Sequence, residues 1–304
     1  MIAIGLLAAA RGSPQRLGRS SATDAACPWV DSSQPIARKV AAVLRAMTLD
    51  DEITLVKGGG ITHTYVFYMP GIPRLCIPSL NEEDGPSGVA DGVVRGVTQL
   101  PAGVALAASW DPALASRYGQ VIGAEEAGKG ANLNLGPTVN IDRDPRWGRS
   151  FEAYTEDPFL DAALATATID GVQSTGVMSQ VKHFDAYNQE TNRNTPQDDV
   201  IVSARALHEI YMPAFQAAVQ QAKVASVMCA YSMINGAFSC NNSYLLEGTL
   251  KQLWGFPGFV TSDYGALHST SSALRGTDEE QPFDTYFGAA LQTAVQNGTI
   301  SRAV

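Results

Sequence analysis

One aspartate stands where many α/β enzymes place a catalytic group. Asp263 follows the apolar, β-branched run Phe259–Ser262, and Gly265 comes two positions later. This pattern is typical of a short buried strand that delivers an acid to its carboxyl end. In α/β barrels the chemistry lies at that end of the strands. Asp263 is therefore a candidate nucleophile, general base or metal ligand, and an ordinary helix cap is the alternative.

Three further ionisable residues stand near the ends of other strand-like segments. Lys182 and His183 come late in the run Met178–Phe184, and Asp84 comes shortly after Leu75–Leu80. Adjacent strand residues point to opposite faces, so Lys182 and His183 share a pocket only where their strand ends. There they would donate hydrogen bonds to sugar hydroxyls or to phosphate. The alternative is a salt bridge at the start of a helix.

A candidate arginine lies in the stretch Asp144–Glu152, where two arginines flank Trp-Gly. The guanidinium of Arg149 is a rigid fork of donors that suits vicinal hydroxyls or a carboxylate. The alternative is a structural ion pair with Glu152 or Glu156. An aspartate surrounded by such cationic donors should have a depressed pKa. This reasoning predicts that Asp263 is an ionised nucleophile and not an acid.

The segments that must position these residues alternate between strand-like and helix-like patterns. Strands are predicted at Leu75–Leu80, Val104–Ala108, Leu133–Ile141, Ser179–Phe184, Ala225–Tyr231 and Phe259–Ser262. Helices are predicted at 35–47, from Thr48 to Val56, from Asp111-Pro112, from Asp157-Pro158, at 204–222 with a break at Pro213, and at 284–297. Repeated strand–helix units without a G-x-G-x-x-G fingerprint favour a (β/α)8 barrel of the TIM type over a dinucleotide-binding fold.

Composition argues against several classes of function. The formal net charge is -9 and no basic stripe is present, so nucleic acid is not an expected partner. No apolar run approaches the length of a membrane span. The four cysteines lack C-x-x-C spacing, so no metal site is predicted. Cys229 and Cys240 flank a turn-rich stretch and would pair in an oxidising compartment, with two buried free thiols as the alternative.

The first residues are predicted to be a leader. Met1–Ala10 is a short apolar segment, and Arg11 and the loose stretch Gly12–Ala26 follow it. A secretory signal has such an apolar core, although the basic residues that should come first are missing. We therefore assign residues 1–27 to a leader or partial signal segment and residues 28–304 to one barrel domain. Secretion or a periplasmic location is expected, with the cytoplasm as the alternative. The sequence leaves the oligomeric state open.

Several runs, taken together and in order, resemble the N-terminal domain of glycoside hydrolase family 3, which includes many β-glucosidases and β-xylosidases. These runs are Glu83–Pro86, Asn140–Arg149 with Glu152 and Glu156–Pro158, Val181–Phe184 with Asn188–Thr191, Ser226–Tyr231, and Gly258–Tyr264. The resemblance covers the chain from about residue 28 to its end. It implies a TIM-like barrel, a β-glucoside or oligosaccharide substrate, and no metal or organic cofactor.

The resemblance also implies a role for each candidate residue. Asp263 would be the nucleophile of a retaining β-glucosidase and would form a covalent glycosyl-enzyme. The residues that would hold the hydroxyl groups of the non-reducing sugar are Asp84, Arg149, Lys182 and His183. Tyr231 would orient the nucleophile. Tyr264 stands where the family often has tryptophan, which leaves the sugar preference open.

The acid/base carboxyl is the weak point of this interpretation. In the family it usually comes from a following α/β sandwich domain, which is absent from this sequence. We therefore expect a barrel that is incomplete at its C-terminus and an activity that is weak. The alternatives are a β-xylosidase of the same family and a non-catalytic sugar-binding remnant or gene fragment. A β-N-acetylhexosaminidase is disfavoured, because its His-Asp motif is not seen after Asn188.

Overall fold

The computed structural model describes residues 27–30, 33–60, 64–90 and 95–303. The predicted leader lies outside these residues except for its last member, Cys27. This residue is 2% exposed and forms a disulfide with Cys76. The folded part of the chain therefore includes Cys27, which the sequence analysis assigned to the leader.

The described residues contain nine strands in two sheets. In chain order they are β1 Phe67–Met69, β2 Leu80–Asp84, β3 Leu133–Leu135, β4 Met178–Phe184, β5 Asp199–Val200, β6 Ser226–Cys229, β7 Met233–Ile234, β8 Ala237–Phe238 and β9 Phe259–Ser262. The central sheet has the order β1-β2-β3-β4-β6-β9, and the small sheet has the order β5-β7-β8. In the central sheet β1 is antiparallel to β2 and all later pairs are parallel, with Val227 of β6 opposite Val181 of β4.

Helices connect most of the parallel strands. They are α1 Ile36–Ala46, α2 Leu49–Val56, α3 Gly103–Ala107, α4 Pro112–Lys129, α5 Pro158–Gln173, α6 Ala204–Ala206, α7 Pro213–Gln220 and α8 Ala289–Gln296, with π-helical segments at Leu207–Tyr211 and Tyr244–Leu253. The predicted starts of α4 and α5 are confirmed, because Asp111 and Asp157 accept hydrogen bonds from the first-turn amides. The break at Pro213 is also confirmed. No helix of the described residues is long and apolar enough to cross a bilayer.

Two extended segments carry the hydrogen bonding from β9 back to β1. The amide of Glu279 donates to a carbonyl of β9 at 3.0 Å, so residues 277–281 lie beside that strand. Gly58 then donates to the carbonyl of Phe283 at 3.0 Å, and Gly59 donates to Tyr68 of β1 at 2.7 Å. A Cβ on Gly58 would lie 2.1 Å from a carbonyl oxygen of the facing segment. The glycine run therefore permits close backbone approach as well as ending α2, and the sheet curves into a barrel-like ring.

Alternation along the strands divides the apolar core into two clusters. On β6, Val227 belongs to the cluster between the sheet and the outer helices. Its neighbour Met228 belongs to a second cluster with Leu133, Phe259 and Val43 of α1. Because adjacent strand residues point to opposite faces, the two clusters lie on opposite sides of the central sheet.

Three predicted strands differ from the structure. Val104–Ala108 is wrong, because these residues belong to helix α3. The run is rich in alanine and leucine, and its buried members Gly103, Leu106 and Ala107 follow helical spacing. A short apolar run does not distinguish a helix from a strand until its partners are known.

The other two predicted strands have different bounds, and proline explains both. Leu75–Leu80 is wrong except for its last residue, because Pro78 cannot donate to a ladder and β2 begins only at Leu80. The strand predicted at Leu133–Ile141 ends at Leu135, before Pro137. The last helix also begins later than predicted, at Ala289 rather than at residue 284.

Candidate active site

Most of the predicted site residues lie at the carboxyl ends of four strands of the central sheet. Asp84 is the last residue of β2, Lys182 and His183 close β4, Tyr231 follows β6, and Asp263 follows β9. Arg149 comes from the long connection after β3. The parallel register brings these ends to one edge of the ring, so residues from distant parts of the chain meet there. Direct contacts or charge interactions link all six to one another.

Asp263 sits at the centre of this group and is only 6% exposed. Its Oδ1 accepts a hydrogen bond from the amide of Tyr264 at 2.6 Å. Its Oδ2 accepts no hydrogen bond from the described residues. A buried carboxylate oxygen without a donor is costly unless something else engages it. Oδ2 is thus the atom available to a bound substrate.

The pKa of Asp263 is raised above its ordinary value, which contradicts the depressed pKa expected from the sequence. Burial is the largest cause, because removal of water disfavours the ionised form. The charges of Arg149 and Lys182, the amide of Tyr264 and the hydroxyl of Tyr231 lower the pKa but do not outweigh burial. The cations near Asp263 are visible in the sequence as residue types, whereas the burial of its carboxyl is not.

Arg149 pairs with a carboxylate and also acts on Asp263. Its Nε and Nη2 donate to the two carboxylate oxygens of Glu152 at 2.6 and 2.8 Å. The ion pair offered as an alternative is therefore present, and Glu152 is the partner. The guanidinium also lies over the ring of Tyr187 at 5.7 Å, and its charge lowers the pKa of Asp263. A bidentate pair fixes the guanidinium in one orientation at the site.

Lys182 forms the second charged pair of the site. Its Nζ donates to Oδ1 of Asp84 at 2.5 Å, with side-chain exposures of 3% for the lysine and 28% for the aspartate. The register of β4 shifts between Val181 and Phe184. This irregularity at the strand end is what lets both Lys182 and His183 face the pocket. The salt bridge joins β4 to β2 across β3.

His183 is neutral, and its hydrogen bonds define the tautomer. Burial and the charges of Arg149, Lys182 and Arg193 hold its pKa well below the ordinary value. Oδ1 of Asn140 accepts from the His183 amide at 2.9 Å and lies 3.2 Å from Nδ1. Because that oxygen is an acceptor, the ring proton belongs on Nδ1. Nε2 is then an acceptor, so a ligand hydroxyl would donate to this imidazole, whereas the sequence suggested that the imidazole donates.

Two tyrosines lie beside Asp263. Tyr231 is buried, and its hydroxyl donates to the carbonyl of Tyr264 at 3.0 Å while lowering the pKa of Asp263. Tyr264 is 39% exposed. Its ring packs against Phe67 at 5.8 Å and against Phe283 at 5.5 Å. Together these rings form an aromatic surface beside Asp263.

A cluster of polar side chains built around Glu190 supports the site and was not predicted from the sequence. Its carboxylate accepts from Trp147 Nε1 at 2.9 Å, from the Tyr187 hydroxyl at 2.6 Å and from Arg193 at 2.9 Å. The ring of Tyr187 packs edge-on against His183 at 5.4 Å. A cavity of about 630 Å³ adjoins this cluster. The Asn188–Thr191 run was noticed as a motif, but spacing alone did not indicate what Glu190 contacts.

The carboxylates around Asp263 are mostly engaged. Asp84 binds Lys182, Glu152 binds Arg149, and Glu190 binds three donors. In the described parts of the chain, no cluster of His, Cys, Asp or Glu is arranged to hold a metal ion. The geometry therefore offers an available carboxylate oxygen on Asp263, two fixed cations and a neutral imidazole. That combination suits a polyhydroxylated ligand with an electrophilic carbon near Asp263.

The sequence model of the glycosyl hydrolase family 3 N-terminal domain matches residues 61–285. The chain belongs to glycosyl hydrolase family 3. The match includes every predicted site residue, from Asp84 to Tyr264. The family resemblance noted in the sequence is thus confirmed.

Individual members of glycosyl hydrolase family 3 resemble the chain over most of its length. A beta-glucosidase of Rhizobium radiobacter is 42% identical over 264 residues, which cover 85% of this chain and 31% of the relative. Beta-glucosidase BoGH3A of Bacteroides ovatus is 41% identical, covering 83% and 34%. The chain thus spans about a third of the length of these relatives.

Solved structures of beta-glucosidases also resemble this chain over most of its length. DesR, a beta-glucosidase from Streptomyces venezuelae solved in complex with D-glucose, superposes with a TM-score of 0.83 at 40% identity, covering 86% of this chain and 35% of DesR. Beta-glucosidase 3B from Thermotoga neapolitana in complex with glucose gives 0.81 at 34% identity, covering 86% and 40%. The curved sheet of this chain is therefore the α/β fold of the family's N-terminal domain.

Proposed function

We propose that the chain carries the sugar site and nucleophile of a retaining β-glucosidase, on a (β/α)8 barrel whose ring includes the two extended segments. The observation that carries the proposal is Oδ2 of Asp263, a buried carboxylate oxygen that accepts no hydrogen bond from the described residues. Arg149 and Lys182 favour its ionised form, which is the nucleophilic one. The D-glucose in the DesR complex and in the Thermotoga enzyme supports a glucose unit as the ligand.

In the proposed reaction, Asp263 Oδ2 attacks the anomeric carbon of a β-glucoside. The bond from that carbon to the leaving-group oxygen breaks as the bond to Oδ2 forms. Water then attacks the same carbon, breaks the ester and releases β-glucose with its configuration retained. Asp84, Lys182 and Arg149 would hold the sugar hydroxyls, and Nε2 of His183 would accept one hydroxyl proton in a hydrogen bond. The hydroxyl of Tyr231 would orient the nucleophile.

The acid/base carboxyl is assigned to none of the described residues. Retaining enzymes need a second carboxyl about 5–5.5 Å from the nucleophile. The neighbouring carboxylates are held by Lys182, by Arg149 and by the donors around Glu190. We propose that this group is supplied from outside them. General acid catalysis contributes about 10²–10⁴-fold, so the 304-residue chain should depend strongly on leaving-group quality.

Leaving-group dependence tests this proposal. The 304-residue chain is mixed with 2,4-dinitrophenyl and with 4-methoxyphenyl β-glucosides, and phenolate release is followed. We expect release of about one equivalent from the activated substrate only, since a good leaving group needs little protonation. Equal rates on both substrates would contradict the proposal that none of the described residues supplies the acid. The second candidate function is a non-catalytic sugar-binding domain, which the engagement of the neighbouring carboxylates also supports. Protein that binds glucose but releases phenolate from neither substrate would favour this second candidate.

Sugar preference is tested with the same assay. A β-xyloside lacks only the hydroxymethyl group, and such a difference is worth roughly 1–3 kcal/mol. We expect the activated glucoside to react faster than the matching xyloside, in keeping with the glucose-bound relatives. A faster xyloside would assign the site to the β-xylosidase alternative.

We also propose that the protein acts in an oxidising compartment, outside the cytoplasm. The support is that all the cysteines are paired, Cys27 with Cys76 and Cys229 with Cys240. Structural disulfides are rare in the cytosol of mesophiles. Thiol titration of protein purified under alkylating conditions tests this; reactive thiols in the native protein would contradict it.

A further inference from the structure

A buried carboxylic acid lies behind the strand end that carries Asp84. Glu126 is on helix α4 and has no solvent exposure. Its Oε1 accepts a hydrogen bond from Nδ2 of Asn134 at 2.6 Å. Asn134 is the middle residue of β3, the strand next to β2. Neither Glu126 nor Asn134 belongs to the reaction described above.

The Glu126–Asn134 pair packs directly against the backbone after Asp84. A Cβ on Gly85 would lie 2.2 Å from Nδ2 of Asn134 and 3.0 Å from Oε1 of Glu126. Nδ2 of Asn134 is also 3.5 Å from the carbonyl oxygen of Gly85. The pair therefore limits where Gly85 can lie. Asp84 is bonded to Gly85 and accepts from its amide at 3.2 Å, so the aspartate is limited as well.

Charge interactions also link Glu126 to Asp84 and its neighbours. The ionisable groups that act on it are Glu83 and Asp84 of β2 and Lys182 of β4. Burial is the largest cause that raises its pKa to about 9, and the Asn134 hydrogen bond and Lys182 lower it while Glu83 and Asp84 raise it. Glu126 is therefore neutral near pH 7. Once ionised, it would repel Asp84 and compete for Lys182.

We propose that Glu126, through Asn134 and Gly85, is a positioning residue that holds Asp84 in place for sugar binding while its own carboxyl is protonated. Ionisation of Glu126 then weakens the sugar site at alkaline pH. The inference rests on the proposed sugar-binding function. It assigns a role to a residue that touches neither the sugar nor the reacting atoms.

The test is D-glucose binding, measured by calorimetry at about pH 7 and about pH 10, on either side of the Glu126 pKa. Glucose has no group that ionises in this range. Glu126→Gln imitates the protonated acid and should bind like wild type at neutral pH. At alkaline pH wild type should lose about tenfold in affinity relative to Glu126→Gln, on the scale of coupling between contacting groups. Glu126→Ala should be weaker at both pH values.

Asp161→Asn is the matched control. Asp161 is equally buried, but it lies on helix α5 and the charge acting on it is that of Asp157. This variant should keep the alkaline loss of wild type. If Glu126→Gln loses affinity with pH as wild type does, the positioning role is wrong although the sugar site stands. If folded wild type binds no glucose at either pH, the proposed function fails and this proposal fails with it.

Discussion

Nε2 of His183 lies 3.6 Å from Oδ2 of Asp263, and this pair is not an ion pair. The imidazole is neutral because it is buried among cations, and its proton lies on Nδ1 toward Asn140. Nε2 of His183 therefore faces Oδ2 of Asp263, which accepts no hydrogen bond from the described residues. In the proposed function, a sugar hydroxyl would donate to Nε2 while Oδ2 meets the anomeric carbon.

The pH at which the rate of the proposed reaction begins to fall on acidification should rise when Arg149 is removed. In the proposed reaction Asp263 must be ionised to attack, and its pKa is already above the ordinary value because of burial. Arg149 is the largest of the influences that lower it, so Arg149→Met should raise the pKa further. The rate of trapping by a 2-fluoro glucoside should then begin to fall at a higher pH than in wild type. The pH profile of that rate measures the change.

Arg205→Met is the control for this prediction. Arg205 is also paired with a glutamate, but on the surface, with an 83% exposed side chain. Its removal should leave the profile unchanged. An acid limb that stays in place in Arg149→Met would show that this arginine does not tune the nucleophile.

The Lys182–Asp84 pair should contribute to stability in a way that a double variant reveals. Asp84→Asn leaves the ammonium of Lys182 buried without its carboxylate partner, which costs about 3 kcal/mol. Adding Lys182→Met removes the unpaired charge and should recover most of that loss. Sugar binding should not recover, because both of the residues proposed to bind the sugar are then absent. Urea unfolding and glucose calorimetry on the same samples separate the two effects, and full recovery of binding would contradict the assignment.

The two disulfides should stabilise the protein unequally. In the chain-entropy model the stabilisation grows with loop length, from about 3 kcal/mol for a short loop to about 4 kcal/mol for one of some fifty residues. Cys27–Cys76 spans 49 residues and Cys229–Cys240 spans 11. Paired substitution by alanine should therefore lower the free energy of unfolding more at Cys27 and Cys76. Denaturant titration measures both, and an unchanged midpoint in either variant would argue against that bond.

Stability should fall as the solution becomes alkaline. Gln281 donates to Glu82 at 3.1 Å and to Glu279 at 2.5 Å, and burial raises the pKa of Glu82 to about 8 and that of Glu279 well above its usual range. The folded chain keeps protons here that the unfolded chain releases above about pH 4.5. Between about pH 4.5 and pH 8 the unfolded chain therefore holds fewer protons than the folded chain, and unfolding releases protons. The stability is greatest at the acid end of this range and is lost as the pH rises toward 8.

Thermal unfolding between about pH 5.5 and 9 checks this slope, which follows from the raised carboxyl pKa values. Glu82→Gln should unfold at a temperature that varies less with pH than in wild type. The exposed Glu209 provides a control, since Glu209→Gln should keep the wild-type slope. A wild-type midpoint that rises toward pH 9 would mean that the buried carboxyls are not protonated.

The sequence predicted which candidate residues lie at strand ends better than it predicted the elements around them. Asp263 and Lys182 each follow a run of strand-forming residues in the sequence. In the structure both residues lie at the ends of strands, as predicted. Val104 is the contrasting case, since its short apolar run fits either a helix or a strand. Only the packing of Leu106 and Ala107 against the core decides the matter, and a single sequence does not contain that information.

Electrostatics was predicted least well. The cations around Asp263 are visible in the sequence as residue types, but the amount of water removed from the site is not. The same holds for His183, whose tautomer depends on Asn140, 43 positions away. Glu126 gave no signal, because an acid on a helix is normally a solvated residue. Burial is a property of the whole fold and is not encoded in local spacing.

The most direct test of the central claim is intact-mass spectrometry of the 304-residue chain after incubation with 2,4-dinitrophenyl 2-deoxy-2-fluoro-β-glucoside. We expect the mass to rise by that of one 2-fluoroglucosyl group, and peptide mapping to place the adduct on Asp263. Asp263→Asn should bind glucose but gain no mass. Folded wild-type protein that binds glucose yet gains no mass, or that carries the adduct on another residue, would contradict the assignment of Asp263 as the nucleophile.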